Sequence, residues 1–163
     1  KLRNGRSTSR ADPGTAERAI EDVAALIRYA SVLERRDLDA VPLGQELEIA
    51  RRYLGLESLR LSERMEVGWE IDPGLETVAV PPFSLQVLLE NAIKHGIAPK
   101  EEGGRIRIRI REEGGGLAIE VEDDGIGIPS DRIGEVVEPF IQVHHICLVA
   151  GINSSPATVR LLQ

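Results

Sequence analysis

Two short segments carry the residues best suited to chemistry. LLENAIKHG (88–96) sets Glu90, Asn91, Lys94 and His95 into a run that is otherwise Leu, Ile, Ala and Gly. VEDDGIGIP (121–129) ends an alternating apolar stretch in Asp123 and Asp124, followed at once by Gly125 and Gly127. The first offers a polar, cation-friendly helix face. The second offers a carboxylate on backbone that can approach a ligand closely, because glycine has no Cβ. Together they read as a nucleotide site.

Each half has a plainer reading. Glu90 and Lys94 stand at i,i+4 in the favourable order and could form a surface ion pair worth a few tenths of a kcal/mol. Asp-Gly before Ile-Gly could be only a tight turn. Asn91 is harder to explain that way, since Asn is a poor helix-interior residue that prefers caps and turns.

The elements that position these residues follow from periodicity. Asp12-Pro13-Gly14-Thr15 is a helix start, with Asp12 or Thr15 as N-cap. Ile20, Val23, Ala24, Ile27 and Ala30 then recur at helical spacing, opposite Glu17, Arg18, Glu21 and Arg28. This helix cannot bury its stripe alone, and a partner from another chain or from a segment outside this one is expected. Pro42 precedes a second helix from about Leu43 to Glu63, with Leu47, Ala50 and Leu54 as its stripe and Gly55 as a possible bend. MEVGWEI (65–71) alternates as a strand, Asp72-Pro73-Gly74 turns it, and a short strand near Val78–Val80 ends at Pro81-Pro82. A helix from about Ser84 to His95 buries Leu85, Leu88, Leu89 and Ala92, places Val87, Asn91 and Lys94 on its other side, and ends at Gly96.

RIRIRIR (105–111) is a strand with Ile106, Ile108 and Ile110 inward and four arginines outward. A phosphate-binding stripe is one reading of those arginines. A solvated sheet face is preferred, because antiparallel sheets often keep one face wet. Residues 112–116 close a hairpin, and Leu117, Ile119 and Val121 return to deliver Asp123 at the strand end. SDRIGEVVEPF (130–140) reads as a short helix, whereas HHICLVAGINSSPATVRLLQ shows no clear helix or strand ending. His144 and His145 are adjacent, so on a strand they point to opposite faces and do not share a metal.

Composition sets the outer bounds. The chain has 163 residues, 42% hydrophobic and 29% charged, room for one ordinary domain with a helical appendage. Five aromatics leave little for base stacking, and 20 basic against 27 acidic residues give a net charge of -7, so nucleic acid is excluded as a partner. The lone Cys147 forms no internal disulfide and fits a reducing, cytoplasmic setting. No apolar run approaches the roughly 20 residues that span a bilayer, so no membrane contact is expected of this chain, although the full-length protein could be membrane-anchored.

LQVLLENAIKHG resembles the N-box of the GHKL ATPases in the version seen in LytS-type sensor histidine kinases. VEDDGIGIP is similar to their G1 box, a DxGxG pattern carried by Asp123, Gly125 and Gly127. VPLGQELEIARRYLGLESLRLSERM (41–65) resembles the linker helix before their ATP-binding domain, and ADPGTAERAIEDVAALIRYA (11–30) the second helix of their dimerisation hairpin. The resemblance covers residues 9–140. It implies an α+β fold, a GHKL-type sandwich of mostly antiparallel sheet with helices on one face, preceded by dimerisation and linker helices. The expected division is a partial dimerisation hairpin at 1–40, a linker helix at 41–64, an incomplete ATP-binding domain at 65–140 and an atypical tail at 141–163.

The implied cofactors are ATP and Mg²⁺. Mg²⁺ keeps several waters and takes one or two oxygen ligands beside the phosphates, which suits the Asn91 side-chain oxygen. Lys94 can neutralise a phosphate oxygen and His95 can add a hydrogen bond. Asp123 would accept from the adenine amino group, with Gly125 and Gly127 giving the base close access. The implied activity is phosphoryl transfer from Mg-ATP to a His and then to an Asp of a response regulator receiver domain, in a homodimer joined through the N-terminal helices. No residue of this chain is assigned a catalytic role.

Two departures from the family pattern bear on activity. Histidines stand only at 95, 144 and 145, so the phosphoacceptor His motif is absent, and no second glycine box follows the first. The kinase core is therefore expected to be truncated at both ends and inactive alone. The alternative is a degenerate, non-catalytic nucleotide-binding or dimerisation module. A clamp-type ATPase of the same superfamily is disfavoured, because it needs a carboxylate one turn before the Asn, where Val87 stands.

Overall fold

The computed structural model describes residues 12–36, 38–61, 64–113, 116–126, 147–150 and 159–162. The expected helix at 130–140, Gly127, His144 and His145 lie outside them.

Helix α1 (Pro13–Arg36) and helix α2 (Leu43–Leu61) pack against each other. α1 does so on a face other than the predicted stripe. Tyr29 and Leu33 are buried, Leu26 packs beside them, and Arg52 of α2 bonds Asp22 at 2.9 Å. The predicted stripe stays outside: Ile20 is 70% exposed, Val23 45% and Ile27 61%. The helix thus has two apolar faces, and α2 covers only one. α2 runs unbroken through Gly55 and buries Leu47, Ala50 and Leu54 as expected, together with Leu43, Ile49, Leu61 and, less expectedly, Glu46.

A two-stranded sheet ties the start of α2 to a later segment: β1 (Val41–Pro42) pairs antiparallel with β3 (Ala79–Val80). Among the described residues the main sheet has five strands: β2 (Met65–Ile71), β4 (Gly104–Glu113), β5 (Gly116–Asp123), β6 (Cys147–Ala150) and β7 (Val159–Leu162), in the spatial order β2-β4-β5-β7-β6. Three of its pairings are antiparallel, and β2–β4 is parallel. Parallel neighbours need a crossover long enough to traverse the sheet. Residues 72–103 supply it, and they include helix α3 (Ser84–Asn91), which is why α3 lies against the sheet. The two strands after residue 146 correct the expectation of a tail without regular structure. β7 pairs backbone to backbone with β5, and β6 with β7, so their place depends on an edge that only the folded sheet provides.

Ile106, Ile108 and Ile110 are fully buried and meet Leu85, Leu89, Ile93 and Ile97 in one core. Burying each such side chain contributes about 1.5–3 kcal/mol. The other face of β4 is the solvated one. Arg105 bonds Glu66 at 2.8 Å, Arg109 bonds Glu70 and Glu122 at 3.0 Å each, Arg107 bonds Glu122 at 3.2 Å, and Arg111 bonds Glu120 at 2.8 Å. The arginine stripe is neutralised by carboxylates of β2 and β5 and is not an anion site.

Candidate functional site

The helix bearing Asn91 does not stop at Gly96. After Asn91 the chain widens into a π-helical turn, Ala92–Ile97, closed by the Ala98 N–H on the Ile93 carbonyl at 2.8 Å. Such single π turns recur at functional positions. This one keeps Ala92, Ile93, Gly96 and Ile97 buried and leaves Lys94 and His95 exposed. The correction to Gly96 has a clear cause. Its φ is not positive, unlike those of Gly74 and Gly103, so it is no helix cap. It is small because Asp123 lies against it: a Cβ there would stand 2.8 Å from the Asp123 Cγ.

Asp123 ends β5 as expected and is only 5% exposed. Its Oδ1 accepts the Gly125 N–H at 2.9 Å, an Asx turn that folds the chain back over the carboxylate. Burial pushes its pKa up; the Gly125 hydrogen bond opposes this, Asp124 and Glu122 add to it, and Lys100 lowers it. Gly125 also needs to be glycine, since a Cβ would fall on the Gly96 backbone, and the Ile126 N–H donates to the Gly96 carbonyl at 3.2 Å. Gly96, Asp123 and Gly125 therefore form one close-packed junction between the π turn and the sheet.

The neighbouring Asp124 locks that junction from outside. Its Oδ1 accepts the Arg105 N–H at 2.8 Å, and its carbonyl accepts the Lys100 ammonium at 2.9 Å. Asp124 is thus structural, whereas Asp123 is buried beside the helix end.

Asn91 is half-buried at the last position of α3. The plainer reading of Glu90 and Lys94 as a surface ion pair does not hold: Glu90 instead accepts from Gln86 at 2.8 Å. Among the described residues, the side chains of Asn91, Lys94 and His95 make no hydrogen bond or ion pair, and none bonds Asp123. The half-buried Asn91 at the end of α3 and the exposed Lys94 and His95 on the turn after it thus remain available to a ligand. No group of three His, Cys, Asp or Glu among the described residues could hold a metal unaided.

Residues 84–154 match the model of the histidine kinase-, DNA gyrase B- and HSP90-like ATPases, and residues 1–65 match a histidine kinase model. The chain belongs to the histidine kinase family. The ATPase-model match begins at α3 and includes both segments singled out above. The chain is 36% identical over 92 residues to the sensor protein LytS of Enterococcus faecalis, covering 56% of the chain and 16% of that protein. It is 32% identical over 122 residues to LytS of Bacillus subtilis, covering 72% and 21% respectively. The chain therefore spans about a fifth of the length of these relatives. In fold it resembles the histidine kinase ThkA, solved in complex with the response regulator TrrA, with a TM-score of 0.53 at 15% identity over 93% of this chain and 52% of that one. The ATPase match runs beyond Gln142 into β6, farther than the motifs alone could be followed.

Gly96, Lys100 and Asp124 escaped the sequence reading as site-forming residues. Gly96 carried a signal, since it directly follows the N-box, but that position is also where a helix cap belongs. Among the described residues no helix is long and apolar enough to cross a membrane.

Proposed function

We propose that this histidine kinase region binds Mg-ATP and serves phosphoryl transfer to a His, and thence to an Asp of a response regulator receiver domain. The observation that carries the reading is the buried Asp123 carboxylate pressed onto the helix end that bears Asn91, within the stretch matched by the ATPase family. Asp123 accepts from the exocyclic amino group of adenine; the carbonyl oxygen at that position in guanine is repelled. The low-dielectric setting strengthens that discrimination. Gly125 and Gly127 let backbone come close to the base. The Asn91 oxygen would hold a Mg²⁺ ion shared with the nucleotide, and the ion would supply charge neutralisation for the phosphates when bound. Lys94 neutralises a phosphate oxygen and His95 donates to another. The chain's own contribution is positioning and charge neutralisation, which suits phosphoryl transfer.

In this reading residues 1–40 belong to a dimerisation hairpin, 41–64 to a linker helix and 65–140 to the ATP-binding domain, with 141–163 extending it. The exposed Ile20, Val23 and Ile27 support a homodimer through α1. The kinase works on the cytoplasmic side, where ATP is found. A second reading, a non-catalytic nucleotide-binding or dimerisation module, is favoured by one observation: the histidines at 95, 144 and 145 leave α1 without a phosphoacceptor.

Titration calorimetry with ADP and GDP, with and without Mg²⁺, tests the site. ADP binding strengthened by Mg²⁺ and preferred over GDP is expected. Equal affinity for the two bases removes the role of Asp123, and no binding in any buffer removes the nucleotide reading. Labelling with γ-phosphate-labelled ATP in the presence of a His-bearing acceptor helix separates the kinase from the non-catalytic module.

A further inference from the structure

The helix that carries Asn91 is capped by a residue from another element. Phe83, at the start of α3, makes no side-chain capping bond. Instead the Glu46 carboxylate of α2 reaches in: Oε1 accepts the Phe83 N–H at 2.8 Å and Oε2 accepts the Leu85 N–H at 3.2 Å. Anionic groups are favoured at that end of a helix, where N–H groups lack partners. Glu46 is only 2% exposed, so it has exchanged water entirely for these donors.

A third element completes the network. The Tyr29 hydroxyl of α1 donates to the same Oε1, and the Tyr29 ring meets Phe83 edge-on at 5.4 Å between centroids. Phe83 is the one non-glycine residue with positive φ among the described residues, at 62°. A bulky side chain holds that conformation only when its surroundings impose it. Here the surroundings are Glu46 on its N–H and Tyr29 on its ring.

We propose that Glu46 and Tyr29 are positioning residues of the nucleotide site: Glu46 fixes the start of the helix bearing Asn91, and Tyr29 makes that fixation depend on α1 being seated on α2. The inference rests on the Mg-nucleotide reading above. Docking of the N-terminal helix and binding at the far end of α3 are then linked, so each must favour the other by the same factor.

The test uses the whole chain and its Tyr29→Phe and Glu46→Gln variants, titrated with ADP in Mg²⁺ and in EDTA, and with GDP. Tyr29→Phe keeps the ring and removes only the hydroxyl, so it remains informative where Glu46→Gln fails to fold. The expected result is a fall of about fivefold in ADP affinity in Mg²⁺ for Tyr29→Phe, the scale of one hydrogen bond. In EDTA the affinity should be unchanged, and the preference for ADP over GDP, set on β5, should persist. Hydrogen exchange across 13–36 should slow when Mg-ADP binds the parent chain and lose that response in Tyr29→Phe. Unaltered Mg²⁺-dependent affinity with an intact exchange response overturns the proposal. So does an equal loss in Mg²⁺ and EDTA, which marks general destabilisation. A parent chain that binds no ADP in any buffer overturns the nucleotide reading itself, and this inference with it.

Discussion

Gly96 and Asp123 lie so close that a Cβ on the glycine would stand 2.8 Å from the carboxyl carbon of the aspartate. The π turn after Asn91 and the end of β5 meet here without an intervening side chain. Gly96→Ala must therefore displace either the turn or the carboxylate. Overpacking of this kind costs about 1–3 kcal/mol, and ADP affinity should fall with it because Asp123 moves. Urea denaturation and calorimetry on the same protein check both effects. An alanine accepted without loss would mean that the junction is looser than its geometry.

Asp123→Asn should separate binding from folding. Loss of the charged acceptor should weaken ADP binding by roughly ten- to a hundredfold, the worth of a hydrogen bond to a charged group. Stability near neutrality should hold or rise, since burial disfavours the ionised form and Asn can still accept the Gly125 N–H. Retained ADP selectivity in this variant would reduce the DDGIGIP segment to a turn.

The same burial predicts a pH dependence. Asp123 and Glu46 both have pKa values raised above the ordinary carboxylate range, with desolvation the leading cause in each. The folded chain therefore keeps protons that the unfolded chain releases. Their contribution is full below the unfolded values, about 4, and is lost as pH rises through the folded ones. Each group adds a slope of up to about 1.4 kcal/mol per pH unit within its window. Urea midpoints of parent and Asp123→Asn should diverge toward neutral pH, with the variant ahead, and converge in acid. Parallel curves would show that Asp123 titrates normally.

The apolar stripe left outside on α1 should drive self-association. Ile20→Glu with Ile27→Glu places two charges on positions 70% and 61% exposed, so the domain itself should keep its melting temperature. Light scattering should show a dimer for the parent chain and a monomer for the double variant. A monomeric parent at high concentration would remove the homodimer.

The arginine and glutamate ladder should matter little. Glu70 is paired with both Arg107 and Arg109 on the solvated face, and exposed ion pairs are typically worth less than about 1 kcal/mol. Glu70→Ala should cost no more than that, less at high salt, and leave ADP affinity untouched. A marked loss of nucleotide binding would revive the phosphate reading of that stripe.

Much of this molecule was legible in one dimension, because local patterns dominate where an element has one wet face and one dry face. Alternation in MEVGWEI and RIRIRIR fixed two strands and the burial of Ile106, Ile108 and Ile110, and helical spacing fixed Leu85, Leu88 and Leu89 of α3 and Ala92 of the π turn as buried. The type and order of Asn91, Lys94, Asp123 and Gly125 sufficed to raise a nucleotide site. What only the tertiary structure decided are relations between elements. Glu46 reads in sequence as one more polar residue of α2, and its burial is answered by two backbone N–H groups that arrive some forty residues later. Gly96 reads as a helix end, and its real constraint is the Asp123 carboxylate on a distant strand. α1 shows one stripe to a periodicity count, yet Tyr29 and Leu33 reach α2 from another face. In each case the deciding partner is far along the chain, so no local period carries the information; it exists only once the chain has closed on itself.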